Sequence, residues 1–352
     1  MNYRVSHSAP VIGEEEVEAV ARVLRSGRLA QGLEVAAFEA ECTAVVGRKY
    51  GVAVSNGTAA LHLALKVLCP GGRAALPSYG CASLLTAVDL AEAGPLICDT
   101  RDDFNLNPAT VSSEAKAVIV PHLFGARATM PANSTIIEDI AQSIGGPTGR
   151  EGIVAIASFY ATKPMTTGEG GMLLTDDEGL ASAFRDLRDY DNRDDYRLRY
   201  NYKMTEMQAA IGRVQLTRLP EFIARRIEIA EQYNDAFQSL PVVVPQGADH
   251  IYFRYAVRTT ERSALETHMQ SHGIEAKRPV YKPAHHYCPA NCPESERAHA
   301  EALSVPIHPG MNAADVRRVV NSLTSYFRQP ASSHSSPHTI TIVVPCASPC
   351  AR

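Results

Sequence analysis

The chain of 352 residues predicts an α/β fold with a mostly parallel central sheet, followed by a smaller C-terminal α+β unit. Short apolar runs of strand length recur at 51–55, 74–76, 96–98, 117–120, 136–137, 153–159 and 172–174, with helical or loop segments between most of them. Several unusual residues fall where these runs end, and parallel sheets gather ligands at that carboxyl edge. From Val242 the pattern changes to one strand-like run, a helix and a loop rich in Pro and His. The expected division is a large domain over residues 1–240, a small domain over 241–328 and a tail over 329–352. The tail is rich in Ser, Pro and Ala, so it is expected to be poorly ordered and dispensable, although 339–344 is apolar enough for a strand.

The elements follow in order. A helix over 14–26 places Val17, Val20, Ala21 and Leu24 on one face and closes at Gly27. A second, 34–46, buries Val35, Phe38, Cys42 and Val45 and stops at Gly47. After the strand at 51–55, Asn56-Gly57-Thr58 leads into a helix over 59–68 with Leu61, Ala64, Leu65 and Leu68 inward. A charged helix (178–190), a polar segment (191–199) and helices over 205–216 and 220–240 complete the large domain. The small one holds a strand at 252–257 and a helix at 262–272, and ends near Phe327.

Hydrophobic residues at 45% and charged residues at 20% are ordinary for a soluble globular protein. A net charge of −4 gives no reason to expect nucleic acid or an anionic membrane as partner. No apolar run is long enough to cross a bilayer and the first ten residues lack a signal-peptide core, so the expectation is cytoplasmic. Of the eight cysteines, Cys288 and Cys292 stand near His285 and His286 like half a zinc site. Without a second matched pair, reduced and mostly buried thiols and no metal are expected.

The chain is organised around the stretch from Ser158 to Gly171, where an apolar run delivers Lys163 into a glycine-rich turn. A lysine there is either a surface residue or a partly desolvated amine. In the second case its lowered pKa makes it a nucleophile towards carbonyls, as a Schiff base with pyridoxal phosphate (PLP) needs. Ser55-Asn56-Gly57-Thr58 is either a plain capped turn or an anion site at a helix start. Glu138 and Asp139 follow a buried strand, and a carboxylate there either caps a helix or pairs with a protonated pyridine nitrogen.

Together these segments resemble the DegT-type sugar aminotransferases, fold type I PLP enzymes, from about Glu14 to Phe327. The resemblance is carried by Ser55 to Leu65, Pro77-Ser-Tyr79, Val120 to Gly125, Glu138 to Gln142, Ser158 to Gly171, Asn201 to Leu216 and Leu303 to Gly310. It implies that Lys163 forms the internal aldimine and shuttles a proton. Asp139 would pair with the pyridine nitrogen and Gln142 would lie near the phenolic oxygen. Gly57, Thr58 and Ser158 would hold the phosphate with Asn201 of a second subunit, so a homodimer would share its active sites. The implied reaction moves the amine of L-glutamate (or glutamine) through pyridoxamine phosphate to a keto sugar, most simply a nucleotide-linked keto-deoxysugar. A keto cyclitol of the aminoglycoside type is the alternative acceptor, and a non-catalytic PLP-binding regulatory protein the alternative role. A pyridoxamine-dependent dehydratase is disfavoured because such relatives generally carry His where Lys163 stands. Cys81 occupies the position at which an aromatic usually stacks on the ring, Lys203 stands where Arg is common, and the segment between Gly125 and Ile136 is short. Tyr79, Tyr160, Lys203, His285 and His286 are the candidate substrate residues.

Overall fold

A computed structural model describes residues 3–328; the expectations for the tail and for 339–344 lie outside the described residues. The chain opens with α1 (Glu14–Ser26) and α2 (Leu33–Val46). It then runs through β1 (Tyr50–Val54), α3 (Gly57–Leu68), β2 (Arg73–Pro77), α4 (Ser83–Leu90), β3 (Gly94–Cys98), β4 (Ala117–Pro121) and β5 (Ile136–Asp139). Next come β6 (Val154–Ser158), β7 (Gly171–Thr175), α5 (Glu178–Arg188) and the long α6 (Glu206–Phe237). The remainder is β8 (Tyr255–Arg258), α7 (Arg262–Ser271), α8 (Pro293–Glu301), β9 (Ala302–Val305) and α9 (Ala313–Arg328).

The large sheet has the order β1-β7-β6-β5-β4-β2-β3. From β3 to β6 every pairing is parallel, and β7 runs antiparallel to both β6 and β1. The expected mostly parallel sheet is therefore present. Strand alternation splits its side chains between two cores. Leu173 faces α3, α4 and α5 with Leu63, Val88 and Phe184, whereas Met172 and Leu174 face α2 and α6 with Phe38 and Leu216. Each such fully buried side chain contributes about 2 kcal/mol. Both faces being covered makes a three-layer α/β/α stack, which leaves the carboxyl ends of the parallel strands as the open edge. Residues 126–135 contain no helix, matching the shortness noted there.

Three expectations about the helices are corrected. In α1 the buried face is Glu16, Ala19 and Val23, while Val17 and Leu24 are exposed. Glu16 is tolerated inside because its carboxylate accepts from Gly13 N–H (2.7 Å), Gln215 Nε2 (2.6 Å) and Arg218 Nη1 (2.9 Å). In α2 it is Val46 rather than Val45 that is buried. The helices expected on either side of Pro220 are one continuous α6. An interior proline costs a helix about 3 kcal/mol. Here the residues around it are held by burial of Leu216, Leu219 and Phe222.

A third core joins the antiparallel β8–β9 pair to α7 and α9 through Tyr255, Val257, Leu265, Leu303, Val319 and Leu323. Val5 and the end of α6 (Ile229, Ala230, Tyr233, Phe237) belong to it too, so α6 is shared between the units. Asp99, just after β3, receives the amides of Glu294 and Ser295 (2.9 and 2.7 Å) and thereby seats α8 against the large sheet.

Candidate active site

A cleft of about 830 Å³ opens at the carboxyl edge of the sheet, between it and the segment 279–287. Lys163, Asp139, Gly57, Thr58, Cys81, Gln142, Ser158 and Tyr160 all line it. The loop carrying Lys163 is closed by its own backbone. Phe159 N–H donates to Gly170 O (2.8 Å), Thr167 N–H to Phe159 O (2.9 Å) and Lys163 N–H to Tyr160 O (2.9 Å). Gly168 takes φ +79°, and the loop's exit is pinned where Gln208 Nε2 donates to Glu169 O (2.7 Å). Gly171 passes so close to Asn56 that a Cβ would stand 2.4 Å from its carbonyl, which fixes the Lys163 loop against the start of α3.

The Lys163 amine lies 5.5 Å from the centroid of the Phe253 ring. Burial lowers its pKa, and the charge of Asp139 opposes that shift. Asp139 ends β5 and accepts one backbone hydrogen bond, from Ala141 N–H (2.9 Å). Burial raises its pKa, opposed by Lys163. Each group thus favours the other's charge in a setting that disfavours both. Glu138 alongside is fully buried, and burial works against its charge. Hydrogen bonds from His122 (2.9 Å), Gly152 (2.9 Å) and Gly149 (2.5 Å) nonetheless hold it down to about 2. His122 Nδ1 accepts from Ala128 N–H (2.9 Å), so the proton sits on Nε2 and points at Glu138.

At the start of α3, Asn56 caps with its side chain on Ala59 N–H (2.8 Å) and its carbonyl on Ala60 N–H (3.2 Å). The amides of Gly57 and Thr58 then remain at the positive end of the helix, facing the cleft. The hydroxyls of Thr58 and Ser158 have no protein hydrogen-bond partner among the described residues. Gly57 is required where it is, since a Cβ would stand 2.7 Å from Ser158 Cβ. Gln142 Oε1 accepts from Phe124 N–H (2.8 Å), holding Phe124 at φ +61°. Cys81 is a free, exposed thiol on the cleft wall.

Other expected residues lie elsewhere. Tyr79 is fully buried, stacked on Phe104 (centroids 5.6 Å apart) and edge-on to Phe124, so it is a core residue and does not line the cleft. Lys203 is turned away and paired with Asp189 (2.7 Å) and Asp191 (2.9 Å). His285 and His286 also fall outside the cleft lining, where both meet Glu296. Asn201 is exposed and outside this chain's own cleft. The structure adds Phe253, Arg254 and Tyr202 to the lining. Arg254 Nη1 lies 3.1 and 3.2 Å from the ring nitrogens of His7, and burial pushes its pKa down to about 10. Among the described residues Arg254 has no carboxylate partner, whereas the buried Arg188 and Arg258 pair with Glu39 (2.9 Å) and Glu294 (2.8 Å). The sequence carries a signal for Arg254: it is the one charge inside the apolar run 251–257.

The model of the DegT/DnrJ/EryC1/StrS aminotransferase family matches residues 10–324. The chain belongs to this family. It is 31% identical to the spore coat polysaccharide biosynthesis protein SpsC of Bacillus subtilis, over 92% of this chain and 97% of that protein. It is also 31% identical to GDP-perosamine synthase of Caulobacter vibrioides, over 91% and 97%. Among solved structures, DesV of S. venezuelae, determined in complex with a ketimine intermediate, superposes with a TM-score of 0.85 at 30% identity, covering 90% of this chain and 95% of that one. The aminotransferase family is PLP-dependent. The residues of this aminotransferase fit that group: unpaired amides and hydroxyls at a helix start suit a phosphate, a buried carboxylate suits a ring cation, and a desolvated amine lines the same cleft.

Proposed function

We propose that this aminotransferase transfers the amine of L-glutamate or glutamine to a keto sugar, most simply a nucleotide-linked keto-deoxysugar. The observation that carries the reading is the burial of Lys163 and Asp139 together in a cleft floored by the start of α3. Bound PLP supplies an electron sink that stabilises negative charge at the substrate carbon. Gly57 and Thr58 amides, with the Thr58 and Ser158 hydroxyls, take the phosphate. Asp139 keeps the ring nitrogen protonated. Lys163 Nζ, which burial favours in its neutral form, would take the proton from the donor's α-carbon and pass it to the cofactor carbon, and would run the same exchange in reverse with the acceptor. Arg254, a cation without a carboxylate partner among the described residues, takes a carboxylate of the donor. Support for a sugar acceptor comes from the 31% identical relative named as a GDP-perosamine synthase and from the polysaccharide role in the name of SpsC.

Two features support a second subunit. Asn201 is exposed away from its own cleft, and Ile12, Val17, Leu24, Leu29 and Leu33 are exposed on the α1 side of the protomer. We assign Asn201 to the phosphate of a partner copy in a homodimer. Mixing Lys163→Ala with Asn201→Ala subunits restores activity if this holds; absence of any rescue places Asn201 outside the partner's site. The substrate is tested by incubating the purified amine-loaded enzyme with a panel of nucleotide-linked keto sugars and keto cyclitols. Return of the cofactor's visible absorbance with a nucleotide-linked ketone supports the reading. Turnover of the cyclitols alone overturns it.

A further inference from the structure

His285 and His286 were left over by the cleft, and the structure shows what they converge on. His285 Nε2 and His286 Nε2 lie 3.1 and 2.7 Å from the same oxygen, Glu296 Oε2, and the three donor atoms fall within 4.8 Å of one another. The two imidazoles pack at a centroid distance of 4.4 Å and an angle of 74°. For both to hydrogen-bond that one oxygen, each must carry a proton on Nε2. A single divalent cation in the gap satisfies all three lone pairs instead, and Zn–N and Zn–O bonds of about 2.0–2.2 Å place donor atoms roughly 3 Å apart.

The donor set is held from outside itself. His285 Nδ1 lies 2.5 Å from Ser78 Oγ, which also accepts the His285 amide (3.1 Å), and Ala284 N–H donates to Ser78 O (2.8 Å). Ser78 immediately follows β2. Glu296 sits on α8, whose first turn is seated by Asp99 at the end of the neighbouring strand β3. Two adjacent parallel strands therefore fix the two halves of the set separately, with the outer-sphere hydrogen bond on Nδ1 that metal-bound histidines use. His299 Nε2 meets Arg278 (2.7 Å) and its Nδ1 has no partner, but the residue falls outside the donor group. His286 and Glu296 are both partly open to solvent, leaving room for water ligands.

We propose that His285, His286 and Glu296 bind one divalent transition-metal ion of the zinc class, pinning the segment 279–287 to α8. Two imidazoles and one carboxylate suit Zn²⁺ or Co²⁺ and not Mg²⁺ or Ca²⁺. The pinned segment supplies Pro279, Lys282 and Tyr287 to the active-site wall, so the ion would stiffen one side of the cleft without entering it. This differs from the cysteine half-site considered from sequence: neither Cys288 nor Cys292 belongs to the donor group.

The test uses the full-length, tag-free, cofactor-loaded protein stripped of metal. Zn²⁺ is titrated in competition with a chromogenic chelator, and Co²⁺ is followed by its visible ligand-field bands. One ion per chain is expected, with Mg²⁺ failing to compete. Glu296→Gln and His286→Asn should weaken binding on the order of 100-fold, and Ser78→Ala by roughly 10-fold. The pair Cys288→Ser/Cys292→Ser should leave it unchanged. Retained cofactor absorbance in each variant shows that the protein is folded. Absence of stoichiometric binding overturns the proposal, as does undiminished binding by Glu296→Gln. A thiolate charge-transfer band in the Co²⁺ form that disappears in the cysteine pair would move the site to those thiols.

Discussion

Glu138 and Asp139 are consecutive, both buried, and opposite in condition. Glu138 collects hydrogen bonds from His122, Gly149, Glu151 and Gly152. Asp139 has one backbone amide and the charge of Lys163. Strand alternation sends one side chain to each face of the sheet, and only Asp139 reaches the cleft. A buried carboxylate whose acceptor sites are filled holds the fold, whereas one left under-satisfied beside a lysine is reserved for something that binds.

The contrast can be broken in several places. Lys163→Ala should lower transamination by more than about 10⁴-fold while circular dichroism stays native; substantial remaining turnover would remove Lys163 from the chemistry. Asp139→Asn should cost on the order of 10²–10³ in rate. Its cofactor-free form should differ from the parent by less than about 1 kcal/mol in urea unfolding, because the fold does not depend on that charge. Glu138→Gln should do the reverse, losing about 3 kcal/mol of stability because its amide would face backbone donors. Activity per folded molecule should stay within a few-fold of the parent; a loss as large as that of Asp139→Asn would erase the distinction.

Acid titration sharpens the same contrast through its sign. Glu138 is depressed from its ordinary 4.5 to about 2, so its stabilisation is present above pH 4.5 and lost as pH falls towards 2, in total about 3 kcal/mol. Asp139 is raised above 3.8, so its ionisation costs stability, which returns as pH falls through the folded value. Subtracting the unfolding curves of Glu138→Gln and Asp139→Asn from that of the parent should give slopes of opposite sign for the cofactor-free protein. Parallel slopes would mean that both carboxylates serve the fold.

Much of this was legible in the sequence. The alternating runs give the parallel sheet, and the strand ends at Ser158 and Asp139 mark the cleft because apolar runs and the residues that stop them are local signals. What was missed depends on distant partners. Glu16 reads as a surface residue until Gln215 and Arg218 cover it, and with it the buried face of α1 turns away from Val17 and Leu24. Tyr79 is adjacent to cleft residues in sequence, but the aromatic cluster with Phe104 and Phe124 holds it inside. Lys203 is drawn off by Asp189 and Asp191, a pairing that no spacing rule announces. The helix α8 and strand β9 were hidden behind a Pro- and His-rich stretch, since only Asp99, some two hundred positions earlier, supplies the cap that starts α8.

The continuity of α6 has a mechanical meaning. Its first half is rooted in the large core through Ala209, Leu216 and Leu219, and its last turns are rooted in the small one through Ile229, Ala230, Tyr233 and Phe237. It is a beam clamped at both ends, and Pro220, which removes one rung of its hydrogen-bond ladder, sits inside the first clamp between Leu219 and Ile223. A load that rotates the small unit about the cleft is therefore carried along α6 and taken up between Ile223, the last residue packed on the large core, and Ile227, the first packed on the small one.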